Sequence, residues 1–217
     1  MLGGVIFDMD GVIVDSHGIH IKAWREFLRA KGCLVTDSDL DFVRDGRKKE
    51  DILRHFFGDL TQDQIQTFGR QKELLFKDEA KGIDTIPGIR QLLDEFNRAG
   101  IPMAIGSSGS GGRVQYILEL LQLGKYFATV VSGDEVAMGK PDPAIFRKAA
   151  RDLQIRPMDS LVVEDSVSGV LAAKAAGMKC LGIANDRHAD ALLQAGASEV
   201  LPNFMNTSLR KVQALFR

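Results

Sequence analysis

The feature that most constrains the fold of this chain is a change in its hydrophobic pattern near Pro87-Gly88. Beyond that point, short apolar runs rich in β-branched residues alternate with segments of helical spacing, which is typical of a parallel sheet covered by helices on both faces. One similar run, Val5-Ile6-Phe7, lies far ahead of the others, and only helical spacing separates it from them. Because a lone strand has no partner, the first run must join the later sheet, and the helical stretch is then an insertion.

We therefore predict an α/β fold, a doubly wound parallel sheet of the Rossmann type, with a small all-α cap domain inserted after the first strand. The α/β core is assigned to residues 1–15 and 84–217, and the helical cap to residues 16–83. A chain of 217 residues is long enough for one such domain and its insertion. Within the cap, helices are expected at about residues 17–31, 37–43, 49–57 and 61–81.

Charge and cysteine usage restrict the kinds of partner. The 28 Lys and Arg residues nearly balance the 29 Asp and Glu residues, giving a formal net charge of −1, so bulk attraction to nucleic acid or to an anionic membrane is not expected. Cys33 and Cys180 have no second Cys or His at metal-site spacing, and no apolar run approaches the roughly 18 residues of a membrane span. We expect a cytoplasmic protein, monomeric or a weak homodimer, that binds neither nucleic acid nor membrane.

Acidic residues follow two of the predicted strands at the point where each strand ends. Asp8 and Asp10 come directly after the first strand, and Glu164 and Asp165 follow a later one. The carboxyl ends of parallel strands meet at one edge of the sheet, which is where ligands bind in such folds. Four carboxylates at one edge repel each other unless a cation lies among them, and hard oxygen ligands without His or Cys favour Mg²⁺. The sequence therefore predicts a magnesium site.

Groups suited to holding a phosphate occur at the same edge. Ser107 and Ser108 follow the strand at residues 103–105, and the glycine-rich turn after them offers backbone N–H donors. Lys140, in Gly139-Lys140-Pro141-Asp142-Pro143, lies in a segment that two prolines stiffen. Magnesium, a lysine and hydroxyl donors together point to phosphoryl transfer.

Two nucleotide-binding motifs are absent. Testing the dinucleotide pattern G-x-G-x-x-G from Gly109 places Val114 where the third glycine belongs. No G-x-x-x-x-G-K-[ST] segment occurs, so a nucleoside triphosphate has no P-loop. The expected partner is a small phosphorylated metabolite.

These residues resemble the sequence motifs of the haloacid dehalogenase superfamily of phosphotransferases, in order and along nearly the whole chain. Asp8-Met9-Asp10-Gly11-Val12 resembles the first motif, Ser107 the second, Lys140 the third and Glu164-Asp165 the fourth. A helical insertion directly after the first motif is similar to the small cap of the subfamily that holds phosphoglycolate phosphatases, sugar-phosphate phosphatases and β-phosphoglucomutases.

The resemblance implies a role for each motif residue. Asp8 would be the nucleophile that forms an aspartyl phosphate, and Asp10 the general acid and base, a task that favours a carboxyl of raised pKa. Asp8, the backbone carbonyl of Asp10 and Asp165 would hold Mg²⁺, with Glu164 orienting metal-bound water. Ser107 and Lys140 would bind the transferring phosphoryl group. An Asp at position 10 disfavours dehalogenase and phosphonatase activity, because those branches of the family do not carry Asp there.

Substrate choice would lie with the cap. The chain resembles the mutases at His20 and Trp24, which lie one turn apart. Trp24 is interpreted as a core anchor of the cap, and His20 either as an exposed helix residue or as a group near the catalytic entrance. The mutase substrate loop reads Lys-Gly-x-x-Arg, whereas this chain has Asp45-Gly46-Arg47-Lys48-Lys49. Lysine is a poor replacement for an arginine that binds phosphate in a bidentate manner, although Arg47 or Lys48 would restore a positive charge. Arg47 and Lys49 are candidate substrate-binding residues, and the alternative is that residues 47–49 form only a solvated basic helix start.

The predicted activity is Mg²⁺-dependent hydrolysis of a small phosphomonoester, such as a sugar phosphate, through an aspartyl phosphate. One alternative is a β-phosphoglucomutase, in which a sugar hydroxyl rather than water receives the phosphoryl group. Another is a non-catalytic receiver-like switch, since receivers also combine acids, Mg²⁺, a Ser or Thr and a lysine on a doubly wound sheet. The helical insertion and Asp10 argue against the switch.

Overall fold

The computed structural model describes the backbone of residues 1–217 and every side chain except those of Arg44, Asp186 and Arg187. The strands are β1 (Gly4–Phe7), β2 (Met103–Ser107), β3 (Thr129–Ser132), β4 (Ser160–Glu164), β5 (Lys179–Ile183) and β6 (Glu199–Leu201). They form one parallel sheet in the order β3-β2-β1-β4-β5-β6. The predicted α/β fold with a helical insertion after the first strand is confirmed.

In the part of the chain that the structure describes, ten α-helices accompany the sheet. Four of them lie between β1 and the remaining strands: α1 (His17–Ala30), α2 (Asp41–Arg44), α3 (Lys49–Phe57) and α4 (Gln62–Glu79), which runs into a 3₁₀ turn at Ala80–Gly82. The other six follow: α5 (Ile89–Arg98), α6 (Gly111–Leu120), α7 (Ala144–Asp152), α8 (Val167–Ala175), α9 (Asp186–Ala195) and α10 (Leu209–Ala214).

The central strand β1 is buried on both faces. Phe7 packs into one hydrophobic layer with residues of α5, α6 and α10, and its neighbour Ile6 packs into the other layer with residues of α7, α8 and α9. Alternate side chains of a strand point to opposite faces, so both must be apolar when helices cover both sides. The register aligns Phe7 with Ile105 of β2 and Val163 of β4, so residues 8, 107 and 164 meet at one edge.

Helices α1 to α4 enclose a separate hydrophobic cluster. Trp24 is 2% exposed, and its ring centroid lies 5.8 Å from that of Phe27 in an edge-to-face arrangement, as expected for a core anchor. Helix α4 begins with a capping box, in which Thr61 and Gln64 bond each other's backbone N–H groups.

One cap helix differs in length from its prediction. The spacing predicts a helix at residues 37–43, but α2 is only Asp41–Arg44, because both the backbone N–H and the hydroxyl of Thr36 donate to Asp39 Oδ2 at 2.7 Å. Such local side-chain bonds hold the preceding residues in turns instead of helix. Over the residues that the structure describes, no helix is long and apolar enough to cross a membrane.

Candidate active site

The first acidic residue of the site lies where β1 ends. Asp8 continues the ladder for one residue, with its N–H donating to Val163 O at 2.9 Å, and the residue is 6% exposed. The N–H of Asp10 donates to Asp8 Oδ2 at 3.1 Å, which orients the Asp8 carboxylate. Gly11 follows with φ of +75°, where a Cβ would also collide with Asp165 and His17. The sharp turn after β1 therefore requires glycine.

Lys140 is the cation nearest to Asp8. Its Nζ donates to Asp8 Oδ1 at 2.6 Å and also to Glu164 Oε1, and the residue is 2% exposed. Burial alone lowers the pKa of Lys140, but the two carboxylates outweigh it and raise that pKa above its usual value. Burial, only partly offset by Lys140, raises the pKa of Asp8 well above its usual range.

Glu164 is fully buried at the end of β4, and both of its oxygens are bonded within the protein. Oε1 accepts from Lys140, and Oε2 accepts from the N–H of Asp165 at 2.8 Å and from the N–H and hydroxyl of Ser166 at 2.9 Å. Ser166 in turn caps α8 by accepting from Gly169 N–H at 3.0 Å. The arrangement makes Glu164 an anchor for the Lys140 ammonium.

Asp10 accepts three hydrogen bonds on one oxygen. Its Oδ1 lies 2.6 Å from Ser16 Oγ, 3.0 Å from His20 Nε2 and 2.8 Å from Arg113 Nη1. Burial alone raises the pKa of Asp10, but the Arg113 guanidinium and the His20 bond hold it well below its usual range. The expectation of a raised pKa at Asp10 is therefore wrong for the structure, and the raised pKa belongs to Asp8 instead.

Sequence reasoning missed Arg113, which is 5% exposed on the first turn of α6. The signal was available, since Arg113 shares the inward face of that helix with Val114, Ile117 and Leu118. A charged residue on the buried stripe of an amphipathic helix needs a buried partner, and here the partner is Asp10.

Asp165 is held from the other side by His17, with His17 Nε2 at 2.6 Å from Asp165 Oδ2. This bond raises the pKa of His17 to about 9, so the ring is charged at neutral pH. Burial raises the pKa of Asp165, with the His17 bond acting against it. Asp8 is buried and the Asp165 side chain is 11% exposed, and both carboxylates thus favour a proton or a cation over isolated negative charge.

These groups suit a magnesium ion. Among the described residues no three Asp, Glu, His or Cys side chains are already grouped as metal ligands. Magnesium, however, takes only one or two carboxylates and completes its shell with water, carbonyl and phosphate oxygens. Asp8 and Asp165 with the Asp10 carbonyl would supply such an all-oxygen set, and a cation would offset the burial that raises the pKa of both carboxylates.

The two serines at the end of β2, Ser107 and Ser108, lie in different surroundings. Ser107 is fully buried, and its Oγ accepts from Gly109 N–H at 3.1 Å, which shapes the turn. Ser108 lines the cavity next to Asp8, and its buried Oγ has no hydrogen-bond partner among the described residues. The hydroxyl that reaches the cavity is therefore that of Ser108.

On the cap side, His20 joins the core to α4. Its Nδ1 lies 2.8 Å from Lys72 Nζ, while Nε2 contacts Asp10. Burial, with the nearby Lys72 ammonium, lowers the pKa of His20 to about 3, so the ring is neutral. Burial likewise lowers the pKa of Lys72 to about 8. Lys72 lies over the rings of Trp24 and Phe76, at 5.4 and 4.9 Å from their centroids.

The predicted substrate loop is tied to the protein by its own charges. Arg47 Nη2 lies 3.0 Å from Asp45 Oδ2, and the Arg47 guanidinium stacks on Phe42 at 4.5 Å from the ring centroid. Lys49 Nζ donates to Asp134 Oδ1 at 3.0 Å, and Asp134 also caps α6 through Gly111 N–H. Lys48 Nζ donates to Val136 O at 2.7 Å. The two lysines therefore link the cap to the core.

One cavity between the sheet edge and the cap brings most predicted residues together. It is lined by Asp8, Asp10, His20, Arg47, Lys49, Ser108 and Asp165. Ser107, Lys140 and Glu164 lie behind this surface and support it. The cavity also includes residues that sequence reasoning did not assign to the site, namely His17, Lys72, Glu73 and Arg113.

Comparisons with known proteins agree with this architecture. Hexitol phosphatase A of Escherichia coli K12 is 35% identical over 182 residues, covering 83% of this chain and 82% of that protein. The β-phosphoglucomutase of Bacillus subtilis 168 is 32% identical over 195 residues, covering 82% of each chain. The crystal structure of CbbY from Rhodobacter sphaeroides in complex with phosphate superposes with a TM-score of 0.83 at 28% identity, over 98% of this chain and 100% of that one. Residues 5–183 match the family described as haloacid dehalogenase-like hydrolase, and the chain belongs to that family.

Proposed function

We propose that this protein is a Mg²⁺-dependent phosphatase that hydrolyses a sugar phosphate or a similar small phosphomonoester through an aspartyl phosphate on Asp8. Residues 16–83 would act as a cap over a core of residues 1–15 and 84–217. The observation that carries the proposal is the placement of Asp8: a buried carboxylate at the end of the central strand, oriented by Lys140 and the Asp10 N–H, and open to the cavity.

The reaction divides into two displacements at phosphorus. In the first, an Asp8 oxygen attacks the phosphorus atom, the bond to the ester oxygen breaks, and Asp10 supplies the proton that the leaving oxygen needs. In the second, Asp10 takes a proton from water while that water attacks phosphorus, and the bond to Asp8 breaks to release phosphate. Asp10 loses its proton in the first displacement and is therefore ionised when it acts as the base in the second.

The low pKa of Asp10 suits the second displacement, because a base must be ionised before it accepts a proton. In the first displacement Asp10 must carry a proton. A phosphate dianion entering beside this carboxylate would raise its pKa by like-charge repulsion. The bonds from Arg113 and His20 hold the carboxylate in position in both steps.

Magnesium would be held by Asp8, the Asp10 backbone carbonyl and Asp165, and would neutralise charge on the phosphoryl oxygens. Both Glu164 oxygens already accept protein hydrogen bonds, which favours a role in positioning Lys140 over direct metal binding. Lys140, the Ser108 hydroxyl and backbone N–H groups of the turn after Ser107 would bind the phosphoryl oxygens.

A β-phosphoglucomutase remains the alternative within the same chemistry. A mutase needs a second phosphate site on the cap, and the substrate loop is the segment that would provide it. Here Lys49 is bonded to Asp134, and one end of Arg47 is bonded to Asp45. These ion pairs leave little free positive charge for a second phosphate, which favours transfer to water.

The proposal is tested by hydrolysis of p-nitrophenyl phosphate and of a panel of sugar phosphates, with and without Mg²⁺. We expect activity that EDTA abolishes and Mg²⁺ restores, that Asp8→Asn eliminates, and that Asp10→Asn lowers by about 10²- to 10⁴-fold. The matched control is Asp78→Asn, a highly exposed carboxylate on α4, which should retain activity. Full turnover by Asp8→Asn would overturn the mechanism.

Product analysis separates the two alternatives. With β-glucose 1-phosphate and a bisphosphate primer, a phosphatase releases inorganic phosphate, whereas a mutase forms glucose 6-phosphate without releasing it. Stable phosphorylation of Asp8 without turnover would instead favour the receiver-like switch.

A further inference from the structure

Three buried polar side-chain atoms of the described residues lack a hydrogen-bond partner: Arg47 Nε, Glu73 Oε2 and Ser108 Oγ. All three residues line the same cavity. Buried polar atoms in folded proteins are nearly always bonded, so each one calls for a partner supplied from the cavity. In the proposed function, the Ser108 hydroxyl bonds the phosphoryl group. Arg47 and Glu73 lie on the cap, and the proposed function gives their unbonded atoms no partner.

Glu73 is the more informative of the two, because an unbonded carboxylate oxygen is costly to bury. It lies on α4 beside Lys72, one turn after Gly69, which has no side chain to cover it and also lines the cavity. The nearest cation, Arg113 Nε, lies 3.7 Å from the other oxygen, Oε1, beyond hydrogen-bond distance. Oε2 is left to bond a donor from the ligand.

The surrounding charges restrict that donor. Lys72 and Arg113 contact the same part of the cavity, and they would repel a ligand ammonium group. A second phosphate or a carboxylate placed there would meet the negative charge of Glu73. A hydroxyl group avoids both penalties, because it donates to Glu73 Oε2 while its oxygen accepts from Arg47 Nε or Lys72 Nζ.

The remaining wall suits a carbon chain that carries hydroxyls. Apolar side chains of Ile21, Trp24, Val43 and Ile52 also line the cavity. They can pack against the C–H groups of a sugar or polyol while its hydroxyls bond the polar side chains of the same cavity.

We propose that Glu73 is a specificity-determining residue that accepts a hydroxyl hydrogen bond from a neutral polyhydroxylated phosphomonoester and excludes substrates with a second anionic group. This inference rests on the proposed phosphatase function and names the substrate class of that site. Arg47 Nε provides the matching donor, so neighbouring hydroxyls are bonded at both ends.

The test compares two substrates that differ at one carbon. Sorbitol 6-phosphate ends in a hydroxymethyl group where 6-phosphogluconate has a carboxylate, and p-nitrophenyl phosphate has no hydroxyls. We expect wild-type kcat/KM to favour sorbitol 6-phosphate over 6-phosphogluconate by about tenfold or more. Glu73→Gln keeps an acceptor but removes the charge. It should reduce this ratio by about tenfold, mainly by raising kcat/KM for 6-phosphogluconate.

Two further variants complete the comparison. Glu73→Ala removes the acceptor and should lower kcat/KM for sorbitol 6-phosphate by about 10- to 100-fold, mostly through KM. Glu79→Gln, on the same helix but in a surface pair with Lys22, should leave the ratio unchanged. A ratio that both Glu73 variants leave within about twofold of wild type, or a wild-type preference for 6-phosphogluconate, would overturn the proposal.

Failure of the phosphatase function has a separate signature, namely that none of the three compounds is hydrolysed with Mg²⁺. In that case calorimetric binding of sorbitol 6-phosphate and 6-phosphogluconate repeats the comparison without turnover. Tighter binding of the polyol, lost in Glu73→Ala, supports the assignment of Glu73, whereas equal affinities contradict it.

Discussion

The two walls of the cavity differ in how their polar groups are bonded. At the sheet edge, Lys140 bonds both Asp8 and Glu164, and among the described side chains of this wall only Ser108 has a buried polar atom without a partner. On the cap wall, Arg47 and Glu73 each leave a buried atom unbonded. A fully bonded network holds a reacting group in one position, whereas unbonded polar atoms favour a ligand that supplies their missing hydrogen bonds. In the proposed function, the core wall thus carries the chemistry and the cap wall the specificity.

The largest effect is expected from Lys140→Met, which removes the cation that bonds both Asp8 and Glu164. Two buried carboxylates would lose their cation, which costs about 3–5 kcal/mol of unfolding free energy, and phosphoryl binding would fall by about 10³-fold in kcat/KM. Urea unfolding and steady-state kinetics measure the two losses. The control Lys148→Met removes a surface ion pair and should cost less than about 1 kcal/mol. Normal activity in Lys140→Met would disprove the role of the network.

A smaller effect is expected from Arg113→Met, which removes a contact between the walls. Without the guanidinium the pKa of Asp10 rises, so its carboxylate is protonated at higher pH. The acidic limb of the kcat profile, where Asp10 must be ionised as a base, should shift to higher pH, and kcat/KM should fall about 10- to 100-fold. The exposed Arg70→Met, on α4, is the control. An unshifted limb would show that Asp10 is not the group that titrates.

On the cap wall, Lys72→Met should increase stability while it reduces substrate binding. Burial lowers the pKa of Lys72 to about 8 from an unfolded value near 10.5, so keeping the lysine charged destabilises the fold below pH 8. The variant avoids this cost, so its free energy of unfolding should exceed that of wild type by up to about 3 kcal/mol at pH 7. The difference should shrink as pH rises from 8 towards 10.5, because the wild-type lysine is then neutral. Urea unfolding at pH 7 and pH 10 tests the sign. A variant less stable than wild type at pH 7 would contradict it.

The smallest effect is expected from Lys49→Met, which breaks a half-exposed ion pair between the walls. The Lys49–Asp134 ion pair should contribute less than about 1 kcal/mol to the free energy of unfolding, and this contribution should fall at high salt. If Lys49 only links cap to core, KM for sugar phosphates should change by less than about threefold, which corresponds to that energy. A tenfold or greater rise in KM would instead show that Lys49 binds substrate. Lys22→Met, in a surface pair within the cap, is the control.

The fold was predictable because its signal is local. Buried strands flanked by helices require continuous apolar runs such as Val5-Ile6-Phe7, and those runs are visible without the structure. The positions of Asp8, Ser107 and Glu164 also follow, because parallel strands end at a common edge. The length of α2 was mispredicted, since a side-chain bond from Thr36 to Asp39 competes with helical spacing.

The bonding of Asp10 was not predictable in the same way. Its crowded acidic neighbours suggest a raised pKa, but Arg113 lies 103 residues away in sequence and reverses the direction. Glu73 presents the same difficulty: a glutamate in the middle of a polar helix looks solvated until the packing of α4 against α1 and the core buries one of its oxygens.

By itself the sequence determined the sheet, its helical insertion and the acids, serine and lysine that meet at one edge, because strand patterning and strand ends are properties of short segments. Only the tertiary structure decided which groups are bonded to each other, which carboxylate carries the raised pKa, and which atoms face the cavity without a partner. All three properties depend on how far apart residues from distant segments lie and on how deeply they are buried. Electrostatic interactions change steeply with both distance and burial.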